Sequence, residues 1–293
     1  MESVIKISNL TKSYGKARGV INLNLTVNKG DIFGFMGPNG AGKSTTIRTM
    51  LGLISPTSGS IEIFQKNALT NKVDILKNTG YMPSEAMFYP NLKVEEIIKM
   101  ASSIHKKDCS TYAGELCDRL QVDTKKKIDE LSLGNRKKVS VVCAMQHKPD
   151  LYILDEPTSG LDPLMQNEFF KLLLERNKDG ATIFLSSHVL SEIQRYCNQV
   201  AIIREGRIIA MDTVANLSNT NAKKIKISGL NSLPDIKGIT GVVNEHGYTT
   251  FLYNGRIQNL IGVLSKIEYD DLTIEEPSLD EIFIHYYEKE DKQ

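Results

Sequence analysis

An α/β fold is what the sequence predicts: a sheet flanked by helices, interrupted by a helical insert and followed by a small α+β appendix. Three observations predict it. DIFGFM, LYILDE and ATIFLSS are short, continuously apolar runs of the kind that strands buried on both faces require. The first of these leads through a Gly-rich turn into a helical run, STTIRTMLGL, which is the strand, turn, helix order of α/β units. Between about residues 85 and 149 apolar residues recur only at helical spacing.

Taken in order, the chain from Ser3 to Met36 reads as short strands, VIKIS and INLNLTV, broken by turn clusters at Tyr14–Gly19 and Asn28–Gly30, with DIFGFM as the buried strand that follows. After the helical run, Pro56–Gly59 forces a turn before the strand SIEIF. Beyond Gly80 the sequence predicts no strand until Leu151; KVEEIIKMASSIH and TYAGELCDRL are helical. The apolar run ATIFLSS is followed by the helical HVLSEIQRYC. After about Asn216, KKIKIS, TGVVNE, YTTFLY and YDDLTI predict strands, with helices near Gln258–Ile267 and Ser278–Tyr287. A main domain over 1–216 and an accessory domain over 217–293 are therefore expected, with no internal repeat.

Composition narrows the class. With 41% hydrophobic and 24% charged residues the chain expects a soluble globular fold, and its net charge of +1 gives no basic surface for nucleic acid. No segment approaches the roughly 18–20 apolar residues of a membrane span, and MESVIKISNL has no secretory pattern, so membrane association is expected only through another chain. Cys109, Cys117, Cys143 and Cys197 lack CxxC spacing, which suits reduced thiols packed as small apolar groups in a cytosol.

Gly37-Pro38-Asn39-Gly40-Ala41-Gly42-Lys43-Ser44-Thr45 fits GxxxxGK[ST] between a predicted strand and a predicted helix, the context that separates a phosphate-binding loop from a chance Gly-rich turn. Glycines let backbone N–H groups approach phosphate oxygens and the helix N-terminus adds positive potential. Lys43 would neutralise the β/γ-phosphates and the Ser44 hydroxyl would bind Mg²⁺. Asn71-Lys72-Val73-Asp74 matches the NKxD that selects guanine, but it follows no buried strand and precedes any metal-binding carboxylate, so it reads as a solvated charge cluster.

Asp155 and Glu156 end the apolar run LYILDE, where parallel sheets present their ligands. Asp155 would hold Mg²⁺ directly or through water, and Glu156 would polarise the attacking water. His188, just past the next strand, is placed to contact the γ-phosphate and orient that water.

From Tyr14 to His188 these elements occur in the order of the ATP-binding cassette (ABC) ATPases, which the chain closely resembles over roughly its first three quarters. The resemblance implies that Tyr14 stacks on adenine, that Asp162 in Ser159-Gly160-Leu161-Asp162 lies on a loop crossing between subunits, and that His188 is the switch histidine. The family's LSGGQ appears as Leu131-Ser132-Leu133-Gly134-Asn135, at a helix N-terminus where Ser132 and the Gly134 backbone can offer donors to a γ-phosphate. In the family that nucleotide sits on the other subunit, which implies a second ABC subunit in a homodimer or a paired heterodimer. Leu133 replaces a glycine, Asn135 a glutamine, and Ser84 in Gly80-Tyr81-Met82-Pro83-Ser84-Glu85 another glutamine; Ser84 could still offer a hydroxyl near Mg²⁺, with Glu85 as the alternative ligand.

Met87, Phe88 and Tyr89 in AMFYPNL form either local packing or the surface that meets a membrane-spanning permease. YDDLTIEEPSLDEIFIHYYEK resembles the C-terminal extension of ATPases of bacterial exporters of drugs, lipids and peptides. The expectation is a P-loop core of ABC type that hydrolyses Mg-ATP at the cytoplasmic face of the membrane and energises an exporter. Two alternatives are a soluble non-transport ABC ATPase, against which the lack of a second cassette counts, and a nucleotide-dependent regulatory module, against which Glu156 counts.

Overall fold

The computed structural model describes residues 2–15, 17–218, 222–230, 233–234, 236–245 and 247–275. Strands β1 (Ser3–Tyr14), β2 (Ala17–Asn28) and β3 (Ile32–Met36) lead to α1 (Lys43–Met50). Next come β4 (Ser58–Ile63), β5 (Lys66–Asn67), α2 (Lys72–Lys77) and β6 (Thr79–Met82). Helices α3 (Val94–His105), α4 (Ser110–Arg119) and α5 (Leu133–Met145) precede β7 (Leu151–Asp155). Then follow α6 (Pro163–Lys178), β8 (Thr182–Ser187), α7 (Leu190–Tyr196), β9 (Gln199–Arg204) and β10 (Arg207–Thr213). The chain continues through α8 (Val214–Ser218), β11 (Ala222–Ser228), β12 (Ile239–Glu245), β13 (Tyr248–Asn254), α9 (Ile257–Leu264) and β14 (Asp271–Glu275).

The chain divides into two compact units, Met1–Met211 and Asp212–Gln293. In the first, a sheet of order β2-β1-β4-β5 accompanies a larger one of order β10-β9-β3-β8-β7-β6. In the larger sheet β3 runs parallel to β8 and β9, and β7 runs parallel to β6 and β8. Strands of this kind lie under helices on both faces, which explains why β3, β7 and β8 are buried at every position. Phe33 stacks on Phe184 across the β3/β8 pair with centroids 5.7 Å apart, and Phe35 packs on the same ring at 5.5 Å. Ile47 and Met50 of α1 join this core from one side, together with Ile5, Leu10 and Leu23 of the hairpin.

In the second unit β12-β13-β11-β14 form an antiparallel sheet. Its core is built by alternation: Ile225 and Ile227 of β11 point inward to Phe251, Tyr253, Leu260 and Leu264, while exposed Lys226 lays its ammonium 4.1 Å from the Tyr248 ring centroid. The helix expected near Ser278–Tyr287 lies outside the described residues.

Three expectations are corrected. The N-terminal strands are not short: β1 and β2 are 12 residues each and pair as a hairpin whose register shifts absorb the irregular alternation that suggested breaks. A strand, β6, spans Gly80 and runs on to Met82, where none was expected; four residues are too few to show a period, and its register is set by pairing with β7. Strands β9 and β10 were not anticipated, although Val200–Ile203 is an apolar run and Glu205-Gly206 supplies the positive-φ turn between them. Among the described residues no helix is long and apolar enough to cross a membrane, and the four cysteines are unpaired.

His147, just after α5, is buried against His105 of α3, the rings stacked with centroids 3.6 Å apart. Burial, aided by His105 and Lys107 and opposed by the Thr79 backbone, pushes the His147 imidazole down to about 4. A depressed histidine pKa means the unfolded chain takes the proton first, so this contribution is intact above 6.5 and is lost as pH falls towards 4. Unfolding by denaturant followed across that window is expected to show about 2–3 kcal/mol of pH-dependent loss, and His147→Phe, which keeps the stacking but cannot titrate, to flatten that slope.

Candidate functional site

The loop after β3 is shaped by two glycines and one lysine. Gly42 caps α1 with φ 112°, and a Cβ there would stand 2.7 Å from Val20 Cγ1, so both the backbone and the packing demand glycine. Gly40 has φ 80° and no atom within 4 Å of where its Cβ would be, which leaves the loop open on that side. Lys43 is buried at 5% exposure. Its Nζ donates to the carbonyls of Gly37 at 2.6 Å and Pro38 at 3.2 Å, folding the loop around the ammonium. Ala41 is buried; its N–H donates to the Pro38 carbonyl at 3.2 Å, and its own carbonyl accepts from Gly206 N at 2.9 Å, so the β9–β10 turn braces the loop from behind.

This loop, through Asn39, Gly40, Gly42, Lys43, Ser44 and Thr45, lines a cavity of ≈ 470 Å³ together with Ser84 and Glu156. Asp155 closes β7 at 1% exposure and accepts from Ser186 Oγ at 2.7 Å; the same hydroxyl accepts from the Glu156 N–H at 3.0 Å. Glu156 has φ 48°, a left-handed conformation uncommon for a residue with a side chain. Its carboxylate lies between two partners, with Oε1 3.0 Å from Lys43 Nζ and Oε2 2.7 Å from His188 Nδ1.

Ser186 is a site residue that the sequence reading missed, together with Ser187, whose hydroxyl donates to buried Glu192 at 2.8 Å and accepts from Val189 N at 2.9 Å. The available signal was the pair of hydroxyls ending an otherwise apolar strand.

The remaining predicted residues do not line the cavity. Ser132 is the N-cap of α5 and accepts from Asn135 N at 3.3 Å. Gly134 stands where a Cβ would meet the Gly160 carbonyl at 2.6 Å, and exposed Leu133 covers Gly160. Asp162 caps α6 by accepting from Met165 N at 3.0 Å. Tyr14 is exposed at the end of β1 under the Lys12 ammonium, 5.2 Å from its ring centroid. Met87 and Tyr89 are exposed and Phe88 is half-buried, while Glu85 faces solvent.

The donors around the cavity are hydroxyl and carboxylate oxygens: Ser44 and Ser84 on the wall and Asp155 behind it. Such hard oxygen donors fit Mg²⁺, which keeps waters and shares phosphate oxygens, and among the described residues no cluster of three His, Cys, Asp or Glu offers a self-sufficient metal site. The site therefore suits an ion that arrives with a polyphosphate.

Comparison with known proteins agrees with this geometry. The family model described as ABC transporter matches residues 20–159. The chain is 43% identical over 230 residues to the bacitracin transport ATP-binding protein BcrA of Bacillus licheniformis, covering 77% of this chain and 75% of that one. A solved structure of an ATP-binding subunit of an ABC transporter aligns at a TM-score of 0.69 and 29% identity over 73% of this chain and 91% of the other. The dimeric post-hydrolysis ATP-binding cassette MJ0796, bound to ADP and Pi, shares the fold at a TM-score of 0.65 and 22% identity, covering 72% of this chain and 98% of that one. The chain belongs to the ABC transporter family as one of its ATP-binding, ATP-hydrolysing subunits.

Proposed function

We propose that this subunit binds Mg-ATP in the cavity beneath Lys43, hydrolyses it with Glu156 as the residue that polarises water, and so drives export by a membrane-spanning permease. The observation that carries this reading is the Glu156 carboxylate, held between Lys43 and His188 by a backbone in a left-handed conformation. A general base must lie within hydrogen-bond reach of the water it activates, and a carboxylate beside the phosphate-binding lysine meets that condition.

Each residue then has a task. Lys43 and the backbone N–H groups from Gly40 to Thr45 hold the phosphates, with Gly37, Asn39 and Ala41 shaping the loop, and Tyr14 stacks on the base. Mg²⁺, held by Ser44 with Asp155 and Ser84, supplies charge neutralisation at the phosphates. Ser186 orients Asp155 while fixing the Glu156 N–H, so one hydroxyl aligns both acids. His188 orients the Glu156 carboxylate through its Nδ1 contact. The N-terminus of α5, whose Ser132 and Gly134 do not line this chain's own cavity, suits a γ-phosphate on a second ABC subunit.

The permease would hold the subunit at the cytoplasmic face of the membrane, and exposed Met87 and Tyr89 suit its docking. Similarity to a bacitracin transport subunit supports export of a drug, lipid or peptide, with selectivity residing in the permease.

Affinity purification from detergent-solubilised host membranes is expected to recover a polytopic chain at fixed stoichiometry; soluble partners alone would overturn the transport reading. In the assembled complex, Glu156→Gln is expected to lower ATP turnover by about 10²–10⁴-fold with nucleotide binding retained. Unchanged turnover would remove Glu156 from the chemistry. Lys43→Ala should weaken Mg-ATP binding by about tenfold or more in a direct titration. Ser186→Ala, read in the same turnover assay, is expected to cost about 10–100-fold through misplacement of Asp155 and Glu156.

A further inference from the structure

Lys137, one turn into α5, is 1% exposed and forms no salt bridge among the described residues. Its Nζ donates to the Ser84 carbonyl at 2.7 Å and to the Pro83 carbonyl at 3.2 Å. These two residues follow β6, and Ser84 lines the same cavity as the Lys43 loop. Burial pushes the Lys137 amine down to about 8, while the charges of Asp155 and Glu156 pull it the other way. Two hydrogen bonds to neutral carbonyls ask only for a neutral donor, which would escape the desolvation cost of a buried cation, so the hydrogen bonds alone do not account for the charge here. What a lysine adds is a positive charge one residue behind the wall, in a region already holding two carboxylates. A ligand bringing further negative charge to the Glu156 side of the cavity is the natural counterpart of that charge.

We propose that Lys137 is a specificity-determining and positioning residue, a second buried cation that fixes the Pro83–Ser84 segment to α5 and favours a nucleoside triphosphate over a diphosphate in the cavity. The inference rests on the Mg-ATP reading above, with the terminal phosphate lying nearest Glu156 and Ser84. An unscreened charge acts over several ångströms inside a protein, so removal of this one falls mainly on the ligand that carries the extra phosphate. Because Lys137 shares α5 with Ser132, the same contact ties the cavity wall to the helix whose N-terminus is offered to the second subunit.

The test is titration of the full chain with ADP and with a non-hydrolysable ATP analogue, both with Mg²⁺, comparing the parent with Lys137→Gln. The expected result is an analogue affinity about tenfold weaker, with the ADP affinity held within about twofold. Equal loss for both nucleotides would mean a merely structural role, and no loss for either would mean none; both outcomes overturn the proposal. Lys137→Arg keeps the charge and is the second variant: it is expected to preserve the parent's ratio of affinities, and a cooperatively unfolding Lys137→Arg protein that loses the ratio also overturns it. A parent chain that binds neither nucleotide would instead refute the Mg-ATP reading, so the two failures are distinguishable.

Discussion

The register of four parallel strands is the constraint on which the rest of the site depends. Met82 of β6 pairs with Leu154 of β7, Asp155 with Ser186 of β8, and Ser187 with Met36 of β3. These pairings end the strands at one edge, so the Lys43 loop, the two acids, the Ser186 hydroxyl and the Ser84 segment all leave the sheet at the same level. No side chain has to reach far to meet another. A slip of one residue in any pair would turn the alternation over and send Asp155 or Ser186 to the opposite face. The apolar packing of Phe33, Phe35 and Phe184 therefore does more than stabilise the core: it holds the register that makes a site of scattered residues.

Charge is what that rigid edge is built to hold. Lys43 and Lys137 are both nearly inaccessible, and each binds backbone carbonyls, Lys43 within its own loop and Lys137 across from α5 to the segment after β6. With them are Asp155, which accepts from Ser186, and Glu156, ion-paired with Lys43 and in contact with His188. Buried charges are tolerated when each has a partner with fixed geometry, and such fixed dipoles and charges need little rearrangement when a highly charged ligand enters. The left-handed backbone at Glu156 belongs to the same economy, since strain of this kind persists only where neighbours over-determine it.

How much of this was legible depended on whether the signal was local. The Lys43 loop could be read because strand, glycines and helix are contiguous in the chain, and Asp155 with Glu156 because an apolar run stops abruptly at two acids. Ser186 could not, since its importance comes from standing opposite Asp155, a fact of pairing between segments 31 residues apart. Likewise β6 is too short to show periodicity, and Gly206 gains its place behind Ala41 only once β9 and β10 are formed. Lys137 stands in the basic run Arg136-Lys137-Lys138, where nothing local marks it for burial, yet the helix turns it inward while Asn135 stays exposed.

The same distinction explains why the two central positions of Leu131-Ser132-Leu133-Gly134-Asn135 tolerate change so differently. Position 134 faces the loop carrying Gly160, and its close approach to that carbonyl excludes any side chain. Position 133 points outward, 63% exposed, and its leucine lies over Gly160 without forcing a clash, the side-chain carbons being 3.6 Å from where a Cβ on Gly160 would stand. A leucine there covers the Ser159–Asp162 loop instead of disturbing it, while Asp162 caps α6 immediately beyond. Substitution at 133 therefore leaves the fold of this chain intact, and its consequences fall on whatever meets the exposed face. Position 134 has no such freedom, because the α5 N-terminus and the Gly160 loop share a single contact surface.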